Sequence, residues 1–90
     1  MRMKYIIICE DAIFMGGTFS HREVAQAILG QGANVKSEVK GAGFCSFQWN
    51  PDGGVYKEGR WEAQVFGKSD SLGIESKEGD KMYVEMAINS

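Results

Sequence analysis

The chain has 90 residues, 43% of them hydrophobic, with ten basic residues against twelve acidic, one His and two Cys. That length makes one domain, residues 1–90, with a single core that hides roughly 60–65% of the surface exposed on unfolding. The basic residues are scattered from Arg2 to Lys81 without the stripe of a nucleic-acid binder. No run approaches the roughly 20 apolar residues that span a bilayer, and no signal-peptide pattern follows the first apolar run. The expectation is a cytoplasmic protein with neither a nucleic-acid nor a membrane partner.

Lys4–Glu10, KYIIICE, is a continuous apolar run rich in β-branched residues, and it reads as a strand covered on both faces or central in its sheet. Ala12–Met15, AIFM, is a bulged continuation of it or a brief partner. Gly16-Gly17-Thr18 then turns the chain into the segment Phe19–Gly32, which specifies a helix by itself. Ser20 and Glu23 have capping-box spacing, and Phe19 and Val24 occupy the positions of a hydrophobic staple. Val24, Ala25, Ile28 and Leu29 form one inward stripe, and Gly30 or Gly32 supplies the left-handed stop. Val35–Val39, VKSEV, alternates as a modest strand.

Gly41–Trp49 is the second long strand, with Cys45, Phe47 and Trp49 on one face. Asn50-Pro51-Asp52-Gly53-Gly54 is a turn that leads to a return strand over Arg60–Gly67 and sets Trp49 beside Trp61. The last segment, Ser76–Ser90, alternates as a strand would but also carries a helical stripe of Met82, Tyr83, Met86 and Ala87. Ser76 as N-cap, acidic residues in the first turn and helix-favouring composition select a helix over residues 77–88. The order β-β-α-β-β-β-α, with a hairpin in the second half, predicts an α+β fold: two layers, a mainly antiparallel sheet with two helices on one face.

Candidate chemistry is sparse. His21 and Arg22 fall at the start of the first helix, where outward amides favour an anion, and Lys68 and Ser69 in the turn KSDS would assist if the chain folds them nearby. These four make a candidate site for a small anionic, nucleotide-like ligand. The bland reading is a solvated first turn, because GGTFSHRE lacks the Lys-Ser/Thr ending of a P-loop. A Ser20 or Ser69, His21, Asp70 triad is rejected for want of a nucleophile elbow. Glu58, Glu62, Glu75, Glu78 and Asp80 read as solvating charge. Cys9 and Cys45 read as buried reduced thiols, with no metal-ligand spacing, and no cofactor is implied. Trp49, Tyr56 and Trp61 around the hairpin end are more aromatic surface than a small core absorbs, and they are the candidate interface.

KYIIICE, AIFM with SHREVA, GAGFCSF and VFGKSDSLGIESKEGD, taken in order, resemble small uncharacterised proteins carried by prophages, integron cassettes and other mobile elements. The likeness lies in Gly41-Ala42-Gly43-Phe44 and in Gly67-Lys68-Ser69-Asp70-Ser71-Leu72. It implies a small accessory protein and carries over no site. The expectation is therefore a non-enzymatic interaction protein that forms a homodimer or meets a protein partner, with ligand binding at the first helix as the alternative.

Overall fold

The computed structural model describes residues 2–52 and 58–90. Strand β1 (Arg2–Ile8) turns back into β2 (Asp11–Met15), with Ile8 opposite Asp11. Two intervening residues demand left-handed conformations, and Cys9 and Glu10 adopt them with φ of 51° and 71°. AIFM is thus a hairpin partner of β1. Cys9 sits on the exposed turn while Cys45 is buried, so the expectation of two buried thiols holds for Cys45 only.

Helix α1 (His21–Leu29) follows, then α2 (Val35–Glu38), β3 (Val39–Asn50), β4 (Arg60–Phe66), a ribbon of β5 (Lys68–Ser69) with β6 (Ile74–Glu75), and α3 (Asp80–Ile88). The four long strands form one antiparallel sheet in the order β2-β1-β3-β4. The α+β class and the antiparallel sheet are as the sequence predicts.

Two expectations are corrected. VKSEV begins as helix, because the Asn34 side chain accepts from the Ser37 amide and starts a turn. The helices also lie on opposite faces, so the fold has three layers. Successive side chains of a strand point to opposite faces. In β1, Ile6 and Ile8 meet Ala25, Val35 and Leu72, whereas Tyr5 and Ile7 meet Val84 of α3. Each face holds its own apolar cluster, and β1 is the wall between them.

Each helix presents only part of the stripe expected of it: Val24, Ala25 and Leu29 of α1 and Tyr83 of α3 pack on the core, whereas Ile28, Met82 and Met86 do not. In α1 the buried residues are His21 and Ala25, four apart, while Ile28 is 49% exposed. In α3 they are Asp80 and Val84, again four apart, while Met82 and Met86 are 55% and 61% exposed. Helix α3 starts at Asp80 rather than 77, and Ser76 is not its cap. Instead the Asp80 carboxylate reaches back to accept from the Lys77 amide.

Strand β3 outruns β1. Its residues 39–46 pair with β1 and its residues 44–50 with β4, so the far end is a two-stranded ribbon on a molecule 45 Å long and 20 Å across. That ribbon carries the Trp49–Trp61 pair.

Candidate functional site

At the start of α1, Ser20 Oγ accepts from the Glu23 amide at 3.1 Å, which forms half of the capping box. Ser71 Oγ accepts from the Arg22 amide at 3.2 Å, and the Arg22 guanidinium donates to the Ser71 carbonyl. The turn that supplies Ser71 is held by Ser69, which is fully buried and accepts from the Leu72 amide. The fold therefore brings Arg22 to the KSDS turn, as the candidate site requires. The amides of Arg22 and Glu23, however, are met by hydroxyls of the same chain. Lys68 stays on the surface, 3.9 Å from the Asp70 carboxylate, a pair of little energetic weight.

His21 is neither solvated nor turned toward a ligand. It is 3% exposed, and its Nε2 lies 2.8 Å from the Gly43 carbonyl oxygen. A carbonyl only accepts, so Nε2 carries the proton. The ring meets Phe44 edge-on at 5.7 Å. Burial holds the imidazole below its ordinary value of 6.5, reinforced by Lys4 and opposed by the Gly43 bond and Asp70. The first residue of α1 is thus a clamp onto β3.

A second buried polar pair lies on the other face and includes Asp80, which reads from the sequence as solvating charge but is buried. The Tyr5 hydroxyl donates to Asp80 Oδ2 at 2.6 Å, and both residues are within 5% of full burial. Burial and the neighbouring carboxylate push the phenol well above its usual range, so it remains a donor. Gly41 makes the approach possible: a Cβ there would stand 2.7 Å from Asp80 Oδ1. No sequence pattern marked this pair, because its partners are 75 residues apart.

Apolar surface gathers in two places. Trp49 and Trp61 lie directly opposite each other with ring centroids 5.4 Å apart, and they are 47% and 38% exposed. Gly59, at φ 88°, packs against Trp49 so closely that a Cβ would meet its ring at 2.6 Å. A shallow groove lined by Gly59, Arg60, Glu85, Met86 and Asn89 carries the surface on to α3. The second place is an open groove of about 510 Å³ between α1 and β2, walled by Phe14, Met15, Phe19, Val24, Ala27 and Ile28. Tyr56, the third candidate interface residue, lies outside the described residues.

Among the described residues no three His, Cys, Asp or Glu side chains gather as a metal site, and no helix is long and apolar enough to cross a membrane. Compared with family models, curated proteins and solved structures, the chain matches none.

Proposed function

We propose that this chain is a non-enzymatic interaction module, a small accessory protein of the mobile-element kind, which works as a homodimer. The observation that carries the reading is the exposure of Phe19, Ile28, Trp49, Trp61, Met82 and Met86. They are not scattered singly, as exposed apolar residues on a monomer commonly are. They gather in two regions, Phe19 and Ile28 beside β2 and the Trp49–Trp61 pair near the α3 methionines, and exposed apolar surface gathered in this way marks protein contact sites. The polar groups that could otherwise suggest chemistry hold the fold: the imidazole of His21 holds β3, and the Asp80 carboxylate holds Tyr5. An exposed free thiol at Cys9 fits the reducing cytoplasm.

Light scattering at micromolar concentration tests the reading. The expected mass is twice the 9.9 kDa of one chain. A single-chain mass throughout the micromolar range would overturn self-association.

A further inference from the structure

The two edges of the sheet are finished differently. At the β4 edge, Asn89 imitates a neighbouring strand: its Oδ1 accepts from the Trp61 amide at 2.8 Å and its Nδ2 donates to the Trp61 carbonyl at 2.9 Å. Glu85 Oε2 accepts from the next outward amide, that of Ala63, at 2.7 Å. Among the described residues nothing corresponds at the β2 edge. The two-residue turn makes Ile8–Asp11 a hydrogen-bonded pair, so Ile13 and Met15 also bond inward to β1. Ala12 and Phe14 therefore point their N–H and C=O groups away from the sheet. An unpaired edge of this kind is a template for another strand.

From this asymmetry we infer that the β2 edge is the self-contact of the homodimer, with β2 of a second copy added antiparallel about a two-fold axis at Ile13. This rests on the dimeric reading above and assigns it a surface. Three features of the edge fit a second copy. In this register Ala12 of one copy exchanges both backbone bonds with Phe14 of the other, which uses both outward residues of each strand. The axis stands perpendicular to the sheet, so both α1 helices lie on the same face. Phe19, Ala27 and Ile28 of one then approach those of the other, and Ile13 of each copy closes the groove beside α1.

Charge sets the direction. Glu10 and Asp11 make one end of β2 acidic. Beyond the other end lies the Lys4 ammonium, which donates to the carbonyls of Gly17 and Phe19 at 3.3 and 2.8 Å. Antiparallel addition brings Asp11 opposite Met15 of the other copy, toward that ammonium. Parallel addition would set the two acidic ends side by side. Five residue pairs alone make a small contact, and a stable interface needs about 1,200 Å² or more. The half-exposed Phe19 and Ile28 add apolar area to the strand contact.

The test is light scattering and backbone amide exchange on the wild type, Phe19→Lys with Ile28→Lys, and Trp61→Ser with Met86→Lys. All substituted positions are exposed, and an unchanged exchange pattern in the remaining core confirms folding. The expected result is a wild-type dimer whose dissociation constant rises at least about tenfold in the α1 variant and is unchanged in the Trp–Met variant. The Ala12 and Phe14 amides should become protected as concentration rises. A dimer that survives the α1 changes but is lost in the Trp–Met variant overturns the β2 assignment and leaves the dimeric reading standing. So does a dimer whose Ala12 and Phe14 amides exchange as freely as in the monomer. A wild-type monomer at every concentration overturns both.

Discussion

The two faces of the sheet are closed by helices of equal length that dock in the same way with opposite chemistry. Each begins with a buried polar residue and buries a small apolar residue four positions on: His21 and Ala25 in α1, Asp80 and Val84 in α3. Each polar residue bonds to a strand of the sheet, His21 donating to Gly43 and Asp80 accepting from Tyr5. A helix of nine residues has few core contacts, and helices so short draw most of their stability from tertiary packing. The hydrogen bond at the first residue fixes where the helix meets the sheet. The difference lies in what happens when a partner is removed: without Asp80 the buried Tyr5 phenol has no acceptor, whereas without His21 the Gly43 carbonyl still stands opposite Tyr5 in the β1–β3 ladder.

The largest effect is accordingly expected on the α3 face. Asp80→Ala leaves the buried Tyr5 hydroxyl without an acceptor and deprives the Lys77 amide of the carboxylate that caps it. Urea denaturation should show a loss of about 3 kcal/mol. Tyr5→Phe, which removes only one donor and leaves Asp80 its bond from Lys77, should cost less, about 2 kcal/mol. Equal losses would mean that the Lys77 bond contributes nothing.

On the α1 face the corresponding effect depends on pH. Because the folded pKa of His21 lies below the unfolded 6.5, its neutral form is favoured in the fold and its contribution is complete above 6.5. As pH falls through 6.5 the unfolded chain takes up the proton first, and stability declines by up to about 1.4 kcal/mol per unit until the folded imidazole also titrates. His21→Gln, whose amide can also donate to Gly43, removes this term and keeps the carboxylates common to both proteins. Denaturation at pH 7 and at pH 5 should show the wild type losing more stability than the variant. Parallel losses would show that the imidazole titrates no differently when folded.

Much of the frame was legible from local pattern. The strand over Gly41–Trp49, its return at Arg60, the Trp49–Trp61 pairing and the Ser20 cap each depend on residues close in sequence or set in register by one turn. What was not legible has identifiable causes. Val35 and Val39 are four apart, and that spacing puts them on one side of either a strand or a helix, so only the Asn34 side-chain bond decides for helix. The Cys9-Glu10 turn needs left-handed residues but has neither Gly nor Asn to announce them. The run Tyr5–Ile8 reads as covered on both faces or central in its sheet, and a one-letter pattern does not say which face each helix takes; two nine-residue helices, one per face, cover it on both. At the candidate site, the nearness of Arg22 to the KSDS turn depended on a contact across 49 residues, and the burial of His21 on a carbonyl 22 residues away.

The smallest effects sharpen the account of α1 itself. Ser20→Ala removes the bond to the Glu23 amide and should lower stability by about 1 kcal/mol. Ile28 reads from the sequence as the centre of the buried stripe, where truncation to Ala would cost about 2–5 kcal/mol. In the fold it is 49% exposed and lies on the flank beside β2. Full burial of such a side chain is worth about 1.5–3 kcal/mol; only half is realised here, and truncation forfeits part of that half. Alanine also returns a few tenths of a kcal/mol in helix propensity over a β-branched residue. The net change should be below about 0.5 kcal/mol, so the order of the two substitutions inverts. Denaturation must be followed at concentrations where the chain is monomeric, since Ile28 lies in the proposed self-contact. If Ile28→Ala nonetheless proves the more damaging of the two in the monomer, α1 is rolled toward β2, and the docking line through His21 and Ala25 is wrong.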